Sequence, residues 1–165
     1  MTGLPRPEGR DLVGDELRAL ASWLGDRPEL WSPYVVHDPD RRTFHRLVSD
    51  DHVTVWLICW MPGHDTGFHD HDGSAGAVAV LEGEVVEERL RLLDAPATAV
   101  YGVGEVMEFA PADIHRVRHH GLAPAVTIHA YSPALRRMGA YVADDNGRLL
   151  RHALDEDTEL TAAAA

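Results

Sequence analysis

Gly63-His64-Asp65-Thr66-Gly67-Phe68-His69-Asp70-His71 is answered forty residues later by Pro111-Ala112-Asp113-Ile114-His115. Two histidines separated by one residue on an extended segment project to the same side of a strand, so His69 and His71 can share one metal ion. His115 offers the third imidazole.

The intervals extend beyond these residues. Gly63, five residues, His69-Asp70-His71, four residues, position 76, six residues and Gly83 resemble the first motif of cupin barrels at every interval. Gly104, Pro111 and His115 resemble the second, with the proline one residue late. The chemical departure is Gly76, which stands where a metal-binding cupin usually carries glutamate. A three-histidine centre without a carboxylate is the expectation.

A chain of 165 residues fits one domain and is long enough to bury about two-thirds or more of its unfolded surface. The lone cysteine, Cys59, excludes an internal disulfide framework and makes a reducing cytoplasm the expected setting. Met1 to Asp11 mix Arg, Pro and Glu without the apolar core of a signal peptide, and no apolar run approaches the ~20 residues of a membrane span. Fifteen basic against twenty-seven acidic side chains give a formal charge of −12. That balance disfavours nucleic acid and anionic membranes, because phosphate binding needs clustered Lys and Arg. A small polar substrate fits better, and no segment signals an obligate protein partner. Of the eleven histidines, His37, His52, His119, His120 and His152 are expected at the surface or at strand ends, whereas His64 lies on the turn before the ligands and could cap it.

From Asp11 to Trp31 the residues Leu12, Leu17, Leu20, Ala21 and Leu24 recur at helical spacing, which predicts an amphipathic helix packed outside a barrel. After Pro33 the pattern changes to short β-rich runs: Thr43–Val48, Val53–Trp60, Ala77–Leu81, Val85–Leu93, Glu105–Phe109, Ala125–Tyr131, Ala140–Ala143 and Leu149–Leu154. Glycine and proline punctuate them as in an antiparallel barrel or jelly roll, and the absence of intervening helices argues against a parallel sheet. Leu81 to Val85 predicts a tight hairpin on Gly83. The expected architecture is an all-β cupin jelly-roll barrel, about residues 34–155, with an N-terminal helical segment, about 1–33, and a frayed tail, 156–165.

Neutral imidazoles leave a divalent ion its full charge, so an anionic group of the substrate can supply the missing ligand, and a thiolate suits that role. Imidazole donors alone do not separate Zn, Cu, Ni and Fe(II). The companion residues do more. His69-Asp70-His71, Ser74, Leu81-Glu82-Gly83, Glu87, Ile114-His115-Arg116-Val117 and His129-Ala130-Tyr131-Ser132-Pro133 together resemble the type I cysteine dioxygenase family over roughly residues 42 to 137. The resemblance implies a mononuclear non-haem Fe(II) held by His69, His71 and His115, and addition of both atoms of O2 to a cysteine thiolate to give the sulfinic acid. It makes Arg46 the partner of the substrate carboxylate, a role suited to its planar fork. It makes Tyr131 the catalytic tyrosine beside the substrate and His129 the partner of its hydroxyl. Cys59 and Trp60 are expected in the core. Ser132-Pro133 resembles a family dipeptide with a cis bond, although an X-Pro bond is more often trans.

Two departures affect detail. In the animal enzymes the position of Gly76 holds a cysteine crosslinked to the tyrosine, which glycine cannot form, and Phe44 replaces a family tyrosine beside the arginine. Related dioxygenases of 3-mercaptopropionate also lack that cysteine but tend to lose the arginine kept here as Arg46. Outside this class, the alternative is a non-oxidative cupin that binds its metal to carry a ligand or, with zinc, acts as a Lewis acid.

Overall fold

The computed structural model describes residues 4–91, 94–146 and 148–155. In chain order its elements are α1 (Gly14–Gly25), β1 (Thr43–Ser49), β2 (Thr54–Trp60), β3 (Phe68–Asp70), β4 (Ala75–Glu82), β5 (Glu84–Arg91), β6 (Asp94–Gly102), β7 (Val106–Phe109), β8 (His115–His120), β9 (Ala125–Ser132), β10 (Arg137–Ala143) and β11 (Leu149–Asp155). The strands form two antiparallel sheets, ordered β1-β2-β9-β4-β7 and β11-β10-β3-β8-β5-β6. This is the all-β barrel with an N-terminal helix that the sequence predicts.

The helix is shorter than its apolar spacing suggests. Glu16 reaches back to accept the Val13 N–H at 3.0 Å and closes the first turn. Past Gly25, Pro28 supplies no N–H, and Pro28–Leu30 and Ser32–Tyr34 form two single 3-10 turns instead. Leu17, Leu20, Ala21 and Leu24 form one buried cluster with Val55, Leu57 and Cys59 of β2, Ala77 and Ala79 of β4, and Val126, Ile128 and Ala130 of β9. The opposite faces of the same strands, Trp56, Ile58, Trp60, Val78 and Val80, line the barrel interior. All of β2 and β9 is therefore buried, and each fully buried leucine or isoleucine contributes about 2 kcal/mol.

The second sheet keeps one face in water. On β8, His115 and Val117 are buried, whereas Arg116 pairs with Asp65 and Arg118 with Glu88. That mixture hides β8 in the sequence. Strand β6 is hidden by Pro96, which lies at the sheet edge where the β5–β6 register shifts, a position that tolerates a missing donor. The predicted hairpin at Gly83 is corrected. Gly83 does turn the chain, with φ of 66°, but β4 pairs with β7 and β9 while β5 pairs with β6 and β8, so the turn carries the chain from one sheet to the other. The expected tail at 156–165, and Leu92 and Leu93 of a predicted strand, lie outside the described residues. Among those described, no helix is long and apolar enough to cross a membrane.

Candidate metal centre

Strand β3 has only three residues, and its neighbours hold it. It lies between β10 and β8, with His69 directly opposite His115. On its other face, Asp70 accepts from Arg151 Nε at 2.7 Å, from Arg151 Nη2 at 2.8 Å and from the Tyr141 hydroxyl at 2.7 Å. This two-pronged, charge-assisted clamp fixes the strand from behind. His71 follows one residue later, and one nitrogen from each of His69, His71 and His115 lies within 4.8 Å of the others.

The state of those nitrogens fits a bound cation. Both ring nitrogens of His71 and Nε2 of His115 are buried without a hydrogen-bond partner, an arrangement that costs about 1–3 kcal/mol for each group unless something binds there. His115 Nδ1 lies 2.7 Å from Glu87 Oε1, and His69 Nδ1 lies 3.1 Å from the Gly67 carbonyl. With Nδ1 donating in both, Nε2 is left with its lone pair toward the centre. Burial raises the Glu87 carboxyl, but the bonds from His115 and Arg89 outweigh it and keep the group ionised. Burial, then the neighbouring imidazoles, hold His69 and His71 well below the usual histidine range, in the neutral form a metal requires.

A pH dependence follows. His129 is pushed down to about 3, mainly by burial and then by His115 and Arg42. An unfolded chain protonates its histidines near ~6.5, so below that value it binds more protons than the folded one and stability falls with pH. Urea midpoints of chelator-treated protein should be level above about pH 7 and decline between about 6.5 and 5. A flat profile across that window would show that these rings are not held neutral.

His129 and Tyr131 lie on the interior face of β9, with His129 Nδ1 at 3.2 Å from the Tyr131 hydroxyl. Two residues to which the sequence gives no site role, Thr127 and the expected core residue Trp60, extend the line. Trp60 Nε1 donates to Thr127 Oγ1 at 2.8 Å, and Thr127 Oγ1 lies 2.9 Å from His129 Nε2 but 3.5 Å from the Ile58 carbonyl. If Thr127 donates along its shorter contact, His129 carries its proton on Nδ1 and gives it to the Tyr131 oxygen, and the tyrosine's own proton turns into the interior. The signal was the alternation Thr127-x-His129-x-Tyr131. Cys59 is buried, as expected, but faces α1 on the other side of the sheet from Trp60.

Arg46 is exposed, its guanidinium 4.6 Å from the centre of the Trp56 ring. The cavity beside the histidines is walled instead by Arg42, together with His69, His115, His129, Tyr131 and Met138. Gly76 lies in register with Tyr131 on one side and Phe109 on the other. The Phe109 ring stacks on His71 with centroids 4.3 Å apart. His64 closes its turn: its Nδ1 accepts the Met61 N–H at 3.0 Å and its Nε2 faces the Pro39 carbonyl at 3.3 Å. The Ser132-Pro133 bond is cis.

A two-sheet antiparallel barrel with three histidines converging inside it defines a cupin whose centre is suited to a divalent metal. The family model for cysteine dioxygenase type I matches residues 10–144, and the chain belongs to that family. It is 27% identical over 136 residues to cysteine dioxygenase type 1 of Bos taurus, an alignment covering 76% of this chain and 68% of the relative. The identity and coverage are the same for the Homo sapiens enzyme. Among solved structures, a cupin superfamily protein from Desulfitobacterium hafniense superimposes with a TM-score of 0.55 at 16% identity, covering 65% of this chain and 91% of the other. An uncharacterised double-stranded β-helix protein from Klebsiella pneumoniae gives 0.56 at 14%, covering 76% and 88%.

Proposed function

We propose that this protein is a non-haem Fe(II) thiol dioxygenase that converts L-cysteine to cysteine sulfinic acid in a reducing cytoplasm. The observation that carries the reading is the buried triad His69, His71 and His115, which no carboxylate joins among the described residues and which faces the same interior as the His129–Tyr131 pair. Membership of the cysteine dioxygenase type I family supports it. The change balances without a co-reactant, since a thiolate and O2 give a sulfinate as sulfur loses four electrons and O2 gains them. Fe(II) held by the three histidines would supply open positions for thiolate and O2 and mediate that electron transfer.

The chain's own residues orient and shield. Glu87 fixes the ring of His115, and Asp70 anchors β3 from outside. Tyr131, backed by His129, Thr127 and Trp60, offers its hydroxyl proton at the reacting end of the cavity, where it steers oxygen by hydrogen bonding. The substrate carboxylate is met by arginine, the role the family resemblance gives to Arg46.

Anaerobic loading with Fe(II), followed by an oxygen-electrode screen of L-cysteine, 3-mercaptopropionate, cysteamine and mercaptosuccinate, tests the reading. Oxygen uptake with cysteine and formation of cysteine sulfinic acid are expected. Preferential uptake with 3-mercaptopropionate would reassign the substrate, and no uptake with any thiol would leave a metal-binding cupin without oxidase chemistry.

A further inference from the structure

Two of the three imidazoles stand on a short framework. Strand β3 pairs with β10 through its three residues and meets β8 at the single His69–His115 position, and His71 lies past its end. Each sequence neighbour of His71 is an aspartate, and one arginine holds both. Arg151 Nε and Nη2 donate to Asp70 at 2.7 and 2.8 Å, and Nη2 also donates to Asp72 Oδ1 at 3.1 Å. Asp70 Oδ1 in turn accepts the Asp72 N–H at 2.9 Å, closing the turn in which Asp72 takes a left-handed backbone with φ of 57°.

Arg151 comes from β11, the edge of the sheet, two strand spacings or about 9–10 Å from β3. Strand β10 lies between them, and Gly139 opens the way across it. Gly139 is in register with Asp70 on one side and Ala153 on the other, and a Cβ there would lie 2.2 Å from Arg151 Nε and 2.5 Å from Cζ. The guanidinium thus occupies the place of a missing side chain. Tyr141, opposite Arg151 on β10, gives its hydroxyl to the same carboxylate. We propose that Arg151 is a positioning residue for the metal centre: crossing β10 over Gly139, it sets the places of His69 and His71 through their aspartate neighbours and couples metal binding to the docking of β11. This rests on the reading of the histidine triad as the metal centre, whichever thiol is the substrate. The strand it ties down is otherwise lightly held, since Leu149 to Ala153 are all exposed, and such an edge opens readily. Coupling is reciprocal, so a clamp that tightens the metal is tightened by the metal to the same degree.

The test measures Fe(II) affinity under argon, by competition with a chromophoric chelator, and hydrogen exchange of the β8 and β11 amides with and without Fe(II). Arg151→Gln and Gly139→Ala should each weaken Fe(II) about tenfold, the second because its methyl pushes the guanidinium aside while every charge remains. The double variant should bind no more weakly than Arg151→Gln alone, since both changes remove one contact. Fe(II) should slow exchange in β8 of every variant, but in β11 only where Arg151 still reaches Asp70. Arg151→Lys, which keeps the charge but not the fork, should lie between and provides the comparison if the glutamine variant does not fold. A merely structural link would lower Tm yet leave Fe(II) affinity and the iron-dependent protection of β11 as in the native protein, and that result would overturn the assignment. So would losses that multiply in the double variant. If the native protein itself binds no Fe(II), the metal-centre reading falls and the coupling with it, whereas native binding that the variants match removes the coupling alone.

Discussion

Replacing His115 with alanine will give a folded barrel that no longer retains a divalent metal through gel filtration. His115 lies directly across from His69, so its loss opens one corner of a three-cornered site and leaves two rings that cannot close around an ion. The strand should survive, because β8 pairs with β5 along its whole length and also carries the Arg116–Asp65 and Arg118–Glu88 ion pairs. Glu87 would lose one partner but keep Arg89, whose Nη2 lies 2.9 Å away. Glu87→Gln should fall between the variant and the intact site. An amide keeps the shape but polarises the ring less, and such outer partners typically account for about 10–100-fold in metal affinity. Competition against a chromophoric chelator ranks the three proteins: native tightest, Glu87→Gln weaker by that factor, His115→Ala beyond measurement. Tight metal binding by His115→Ala would place the centre elsewhere. Oxygen uptake with cysteine should follow the same order.

What the sequence made legible depends on solvent. The first sheet is covered by the barrel interior on one side and by α1 on the other, so β2 reads as a nearly continuous apolar run and β9 as one broken only by Thr127 and His129, and both are recognisable to within a residue. The second sheet has one wet face. Its strands mix apolar residues with the arginines and glutamates of surface ion pairs, and β8 and the proline-bearing edge β6 escaped notice for that reason. The sheet change at Gly83 looked like a hairpin because turn chemistry is local while strand partnership is not. At the site, spacing brought out the three histidines that the fold groups together, whereas His129 and Tyr131 came from the family resemblance, and alternation only puts the two on one face of β9. The contributions of Glu87, Thr127, Trp60 and Arg42 depend on side chains arriving from other strands, which no interval along the chain encodes. Arg46 and Arg42 show this limit: register puts Arg46 in the row of Trp56 and His129, yet it is Arg42 that walls the cavity beside the histidines.

Gly76→Glu and Gly76→Cys will each destabilise the protein by several degrees in Tm, although each restores a side chain that related cupins or animal dioxygenases carry there. A Cβ built on Gly76 would lie 2.0 Å from Phe109 Cζ and 2.4 Å from Cε2, well inside van der Waals contact. The ring has little room to yield, since its centroid is 4.3 Å from that of His71, 4.5 Å from His115 and 6.0 Å from Tyr131. Overpacking of this kind costs about 1–3 kcal/mol, or roughly 3–10 °C in a chain of this length. Phe109→Ala alone also destabilises, by removing a buried ring, at about 3–5 kcal/mol. The combination Gly76→Cys with Phe109→Ala should cost less than the sum of the two by about 1–3 kcal/mol, because each change relieves the other's defect. Additive losses in the double variant would show that the two positions do not compete for the same space. Gly76 is thus more than a missing ligand: the volume a carboxylate or thiol would fill holds an aromatic ring that packs against two of the three histidines. A side chain at position 76 and the Phe109 ring compete for one space, so a coordinating group enters there only by displacing that ring.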